Sequence, residues 1–412
     1  MLESLKDKFR LLGPGLLYAA AAIGVSHVVQ STRAGAEFGY QLIFAVFLAN
    51  FIKYPFFKVG PLFTALTGKS LLEGYKKLGK HWVMVFLIMT LLTMFVVQAA
   101  VTVVTAGLVQ SILGLSLDIR VISLILLIIC FLILYKGKYN ILDQFIKVIV
   151  IILSITTVLA LFFAFFAHIP KPAMPISFDF NNKTHVLFLI ALIGWMPAPM
   201  DIPVWHSVWC MADNEDKKCQ KSVKDSILDF NIGFIGTALL AMCFVALGAL
   251  VMYQTGESFK SSGGAFASQV ISLYTKALGT WSYPLIALAT FATMFSTTLA
   301  CLDAFARITK EGLYQFSEKE VYRGHKAYLF WLLITLTGAS ILHFFFLKDM
   351  RQLVDFATTL SFVISPVFAY MNYQVMQKQF AHTNHGFHGL NKLWAYLGMA
   401  FLSFFALYYL YI

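Results

Sequence analysis

Charge is scarce in this chain. Asp, Glu, Lys and Arg make up 12% of its 412 residues, against 59% hydrophobic residues and a mean hydropathy of +0.76. Too few polar side chains remain to cover a soluble globule, so a water-soluble enzyme or binding domain is excluded. Cysteine is sparse as well. Cys130, Cys210, Cys219, Cys243 and Cys301 stand apart without metal-finger spacing, so neither a disulfide nor a zinc site is expected. No nucleotide-binding loop, nucleophile constellation or extramembrane domain interrupts the apolar sequence, which argues against an enzyme or a receptor. Met1 to Arg10 is polar and leads straight into the first apolar segment, so no cleavable signal peptide is expected.

What the chain has instead is a succession of apolar runs near or above the ~18–20 residues that cross a bilayer as a helix. Spans are expected at 12–33, 40–66, 82–112, 119–135, 143–168, 185–210, 228–254, 281–306, 327–347, 352–377 and 391–411. These describe an all-α integral membrane protein of about eleven helices in one domain, 1–412. The formal net charge of +11 could suggest nucleic acid, but the basic residues fall into alternate loops. Lys6, Lys8 and Arg10 precede the first span; Lys69, Lys76, Lys77 and Lys80 follow the second; Lys136 and Lys138 follow the fourth. Lys217, Lys218, Lys221 and Lys224 follow the sixth; Arg307, Lys310, Lys319, Arg323 and Lys326 the eighth; Lys378 and Lys392 the tenth. By the positive-inside rule the N-terminus is cytoplasmic and the C-terminus extracellular, with the plasma membrane the expected location. The charge is a topology signal, the bilayer is the partner, and no nucleic acid is expected. Oligomeric state is left open.

Two spans carry signs of interruption. In the first, Gly24-Val25-Ser26-His27 places a glycine, a hydroxyl and an imidazole inside an apolar run. In the sixth, Pro197, Pro199 and Pro203 remove three helical N–H donors. An unwound backbone survives in a bilayer only where protein, water or an ion satisfies it. Two broken helices five spans apart point to an inverted-repeat transporter with its site between them. The breaks are expected at 23–27 and 197–203, facing each other.

The stretch Leu12 to Tyr40, with Gly13-Pro14-Gly15 and Ala34-Gly35-Ala36-Glu37-Phe38-Gly39-Tyr40 at its ends, resembles the opening of the NRAMP divalent-metal transporters. Leu48-Ala49-Asn50-Phe51, Thr67-Gly68-Lys69-Ser70-Leu71, Phe295-Ser296-Thr297-Thr298 and Glu311-Gly312 extend the likeness. The resemblance implies the LeuT-type fold, two inverted five-helix repeats (about 12–168 and 185–377) plus an extra helix, 391–411. It also implies a secondary transporter that needs no ATP.

The family's metal ligands are replaced. Its first-helix Asp-Pro-Gly-Asn falls on Gly24, Val25, Ser26 and His27, and its sixth-helix Met-Pro-His on Pro199, Met200 and Asp201, aligned on His206-Ser207. Its third-helix Asp and Glu fall on Gln98 and Val101. A divalent ion needs anionic or strongly donating ligands to offset its dehydration. Free N–H groups at half-helix starts, by contrast, favour an anion. The expected substrate is therefore a small inorganic anion such as bicarbonate, held around Gly24, Val25, Ser26, His27, Pro199, Met200, Asp201 and His206. Arg33 either adds to this positive field, snorkels to the outer interface or pairs with Glu37. Carbonyls near Ala22 and Val25 with the Thr297 and Thr298 hydroxyls resemble the LeuT-type sodium site, which implies Na⁺ as coupling ion, with Asp303 a further carboxylate. No other cofactor is expected. The alternative is a divalent-metal (Mn, Fe or Mg) transporter with a site rebuilt from His27, Asp201, His206 and the nearby Met196 and Met200, and with protons as coupling ion; Asp201 and Asp303 are the carboxylates able to hold a cation or a proton.

Overall fold

The computed structural model describes residues 13–136, 139–167, 171, 174–255, 257, 259–260, 263–346 and 349–411. Residues 1–12, with Lys6, Lys8 and Arg10, lie outside the described residues, as do Lys138 and position 168. Among the described residues every regular element is helical. The first span consists of Pro14–Ala22, a π-helical turn Val25–Ser31 and Thr32–Phe38; the second of Ile43–Phe57 and Val59–Thr67. The third, fourth and fifth are Lys80–Leu113, Ile119–Tyr135 and Tyr139–Phe166. The sixth is split into Lys183–Gly194 and Ile202–Lys217, and the seventh is Val223–Val251. The eighth and ninth are Tyr283–Ser317 and His325–Phe346; Met350–Val363 with Ser365–Phe380 forms the tenth, and Gly389–Tyr411 the eleventh. Seven of these stretches are long and apolar enough to cross a membrane as single helices. The first and sixth fall short because each is broken, and the fourth and fifth supply shorter apolar stretches, Ile119–Tyr135 and Val150–Phe166.

Local sequence explains the boundaries. After Thr67, Gly68 takes a left-handed conformation (φ 71°) and stops the second span, and Ser70 then accepts the Glu73 N–H (3.4 Å) to start Leu71–Leu78. That short helix and Gly263–Leu278 lie outside the expected spans. Both are amphipathic rather than uniformly apolar, and the second buries Phe266, Val270, Leu273 and Tyr274 on one face. The fourth span, by contrast, is apolar all round. In the fourth, Ile122, Leu126 and Cys130 are buried while Ile125, Ile128 and Leu132 stay exposed, as a helix between protein and lipid requires.

The first span is built into the seventh. A Cβ on Gly35 would lie 1.9 Å from the Val245 carbonyl oxygen, and one on Gly248 2.4 Å from that of Thr32. At the other end, Gly15 and Gly233 approach Asp229 and Gly15 carbonyls to 2.1 and 2.2 Å by the same measure. Small residues permit such backbone contact, which supplies the dispersion energy that hydrophobicity cannot supply in lipid. Asp229 completes the junction: its carboxylate accepts the Gly13 and Gly15 N–H groups (3.2 and 3.1 Å) at the start of the first span, and Lys221 pairs with it (3.2 Å).

Candidate functional site

The first break lies at Ile23 and Gly24. Ile23 leaves the helical region (ψ 67°), so the last carbonyls of Pro14–Ala22 are freed, and the Ser26 hydroxyl reaches back to the Ala22 carbonyl (2.9 Å). The second break runs from Trp195 to Asp201, two residues earlier than expected. Pro203 accounts for the shift: it stands in the first turn of Ile202–Lys217, where a missing N–H has no intrahelical partner to lose. The two breaks face each other, with Ser26 Oγ 3.4 Å from the Pro197 carbonyl.

Between them is an enclosed cavity of about 20 Å³, near the volume of one water. Ala22, Val25 and Ser26 line it from the first span, Trp195, Pro199 and Trp205 from the sixth. Val97 and Val101 close it from the third span, Thr297 and Cys301 from the eighth. The wall holds no carboxylate, imidazole or thioether; Cys301 is its one soft atom. It does hold donors. The buried indole N–H of Trp195 has no partner, and that of Trp205 lies beside the Asp201 carboxyl. Val25 and Ser26, as the first residues of a helical segment, also have backbone N–H groups with no intrahelical acceptor.

The expected site residues divide into three groups. Gly24, Val25, Ser26, Ala22, Pro199 and Thr297 come together at the cavity. Thr297 donates to the Ala20 carbonyl (3.0 Å), and a Cβ on Gly24 would meet its side chain at 2.7 Å. Met200 and Asp201 line a tighter crevice beside it, with Thr93 and Ser361; Asp201 Oδ1 is buried without a partner. His27, His206, Thr298 and Asp303 point elsewhere. His27 Nε2 donates to the Thr237 carbonyl of the seventh span (3.0 Å), which leaves Nδ1 facing the Ser26 hydroxyl (2.7 Å). His206 stacks on Tyr18 (5.7 Å between centroids). Thr298 shares a hydrogen bond with Thr105 of the third span (2.8 Å), and the Gln98 amide donates to the Thr298 carbonyl (3.2 Å). Asp303 takes both oxygens to Arg307 Nε (2.8 Å each) and accepts from Tyr328 (2.8 Å). These four stand away from the cavity wall: His27, Thr298 and Asp303 each hydrogen-bond to a neighbouring helix, and His206 lies against Tyr18 with its Nδ1 buried and unpartnered.

Of the readings open for Arg33, the structure shows the pairing with Glu37. It is 2% exposed, stacks over Phe188 (4.7 Å), and is paired to Asp355 of the tenth span (2.8 Å) and Glu37 (3.6 Å). Gln30 donates to Asp355 (2.8 Å) and accepts from Arg33 (2.9 Å), closing the network. This cluster lies across the far end of the first span from Gly13 and holds it against the tenth.

The cation that sequence reasoning missed is Lys53. It is 1% exposed in the middle of the second span, and its Nζ donates to the Ile193 and Gly194 carbonyls (2.6 and 2.9 Å), the last of the first half of the sixth span. No carboxylate pairs with it among the described residues. Its Nζ therefore faces the negative end of a half-helix, one residue before Trp195 enters the cavity wall. A lone lysine near mid-span was the available signal, since such a residue is a site candidate by default.

Among the described residues no group of three or more His, Cys, Asp or Glu could hold a metal ion. The overall architecture has solved counterparts. A mutant of the Eremococcus coleocola manganese transporter superposes with a TM-score of 0.70 at 13% identity, covering 98% of this chain and 86% of that one. MhsT, in complex with L-phenylalanine, gives 0.65 at 14% identity, covering 95% and 96%. At these identities the likeness is one of fold, the LeuT-type bundle. An uncharacterised protein of Pasteurella multocida is 37% identical over 375 residues, 90% of this chain and 86% of its own length. The model of the natural resistance-associated macrophage protein-like family, Nramp, matches residues 15–411, both breaks included. The chain belongs to the Nramp family and is a multi-pass membrane transporter, not an enzyme.

Proposed function

We propose that this transporter carries a small monovalent inorganic anion, bicarbonate first among the candidates, together with Na⁺. The observation that carries the reading is the cavity wall: the unpartnered Trp195 indole and the backbone N–H groups of Val25 and Ser26 offer hydrogens, and no carboxylate or thioether is present to hold a divalent cation. Lys53 adds a buried amine that donates to the last carbonyls before the sixth-span break. Coupling follows from membrane electrostatics. An anion entering a cell with a negative interior is opposed by about 2.3 kcal/mol per 100 mV, and a co-transported cation cancels that work. Thr297, set against the Ala20 carbonyl and Gly24, supplies hard oxygen for Na⁺; Thr298 does not face the first break. The loop charges support a cytoplasmic N-terminus and an external C-terminus, with the plasma membrane as the proposed location.

The test is uptake in proteoliposomes, comparing labelled bicarbonate with Mn²⁺, each with and without imposed Na⁺ and pH gradients. Bicarbonate uptake should require the Na⁺ gradient and fall at least about tenfold in Thr297→Ala, the equivalent of about 1.4 kcal/mol. Mn²⁺ uptake without bicarbonate uptake would overturn the anion assignment; bicarbonate following the pH gradient alone would overturn the sodium half.

A second reading, transport of a divalent metal ion, is favoured by one observation. Met200 and Asp201, a thioether and a buried carboxylate with an unpartnered oxygen, line the same crevice beside the cavity. The manganese transporter with the same fold gives it a precedent. One carboxylate and one thioether are a thin ligand set for a dehydrated ion. Calorimetry of the purified protein with Mn²⁺ and Cd²⁺ should show weak heats or none; tight binding abolished in Asp201→Asn would establish the metal site.

A further inference from the structure

The largest cavity described lies away from the transport site. It encloses about 480 Å³ and is bounded by the second span, the start of the seventh and the segment that leads into the eleventh. Its chemistry is two-sided. One part is basic: Lys58 and Lys224 both line it, together with His385, and no Asp or Glu does. Neither lysine has an ion-pair partner among the described residues. The amides of Asn384 and Asn391 add neutral donors. The other part is apolar, with Leu62, Ile227 and Met376, and its rim reaches Leu228, which is 46% exposed.

Trp394 walls the cavity on the side of the eleventh span. Its ring stacks on Tyr54 (5.4 Å) and Phe51 (4.6 Å), and its N–H donates to the Phe51 carbonyl (3.0 Å). Such rings belong at the level of lipid headgroups, where one edge is apolar and the other wet. Two lysines converging on a shared space without a carboxylate repel one another unless an anion lies between them. An anion with an apolar continuation satisfies both halves of the cavity, whereas a free inorganic anion leaves the apolar half empty.

We propose that this cavity binds one anionic phospholipid, its phosphate between Lys58 and Lys224 and its acyl chains leaving past Leu228 along the second and seventh spans. A basic pocket between transmembrane helices at the headgroup level is the physical form that anionic-lipid recognition takes. The site is independent of what the transporter carries.

The test uses the purified full chain in detergent, with phosphatidylglycerol as probe and thermal melting and native mass spectrometry as readouts. Phosphatidylglycerol should raise the melting midpoint saturably and appear as one retained lipid per chain, while phosphatidylcholine does neither. Lys58→Gln/Lys224→Gln should lose at least three quarters of the shift. Lys224→Gln alone, at an exposed position that folding does not depend on, should lose about half, and Lys326→Gln at an exposed site elsewhere none. An undiminished shift in the double variant overturns the proposal. So does an equal shift with phosphatidylcholine, which would mean annular lipid only, or full reproduction by glycerol 3-phosphate, which would mean an anion site without a lipid.

Discussion

Gly35→Leu will not accumulate as folded protein. The glycine Cα faces the seventh span so closely that a Cβ would stand 1.9 Å from the Val245 carbonyl oxygen and 2.8 Å from the Ala249 nitrogen, where real Cβ atoms essentially never come nearer than about 3.0 Å. Both obstacles are backbone, so no rotamer change relieves them. The helices must separate, and the contacts between Thr32, Ala36 and Gly248 separate with them. Overpacking of a rigid contact costs about 1–3 kcal/mol where neighbours yield; here, with backbone on both sides, the loss should exceed about 4 kcal/mol. Fluorescence-detected size exclusion of a tagged protein reads the result directly. Gly236→Ala, three residues from Gly233 but with nothing within 4 Å, is the control and should behave as wild type. A monodisperse, active Gly35→Leu protein would mean that the first and seventh spans do not meet as described.

The second large effect belongs to Lys53→Met. Removing the amine leaves the Ile193 and Gly194 carbonyls unpaired in a buried region, and it removes the donor that holds the sixth-span break against the second span. Hydrogen bonds to a charged donor contribute about 1.5–3 kcal/mol each, although polar contacts inside membranes average nearer about 0.6. A loss of about 2–4 kcal/mol is therefore expected, visible as a lower melting midpoint. For transport the expected signature is a KM for the anion raised at least about tenfold. Lys53→Arg should not restore it, because a planar guanidinium does not fit where a compact ammonium fills a fully buried niche. An unchanged KM in a folded Lys53→Met protein would remove the lysine from any part in drawing the substrate.

The membrane class and both interruptions were legible because composition and proline act locally. Three prolines cannot share an unbroken helix wherever the rest of the chain goes. The side-chain directions were not legible. Thr297 and Thr298 are neighbours in sequence, but successive helical residues point about 100° apart, so one meets the first span and the other the third. Lys53 was visible as a lone charge, yet its partners are carbonyls 140 and 141 residues away, and side-chain patterns do not encode carbonyls. His27 looked unpaired for the same reason, its acceptor being the Thr237 backbone. Arg33 showed its near partner Glu37; the stronger one, Asp355, is 322 residues distant.

The interlocked glycines set a mechanical condition on turnover. Gly35 and Gly248 join the seventh span to the upper half of the first, while Gly15, Gly233 and the Asp229 carboxylate join it to the lower half. The seventh span is thus a splint across the fracture at Ile23 and Gly24. Neither fragment can swing alone without parting backbone from backbone. The smallest rigid unit able to uncover the cavity is the first and seventh spans together, and the surfaces free to slide are those where Thr297, Val97 and Val101 close it from the eighth and third.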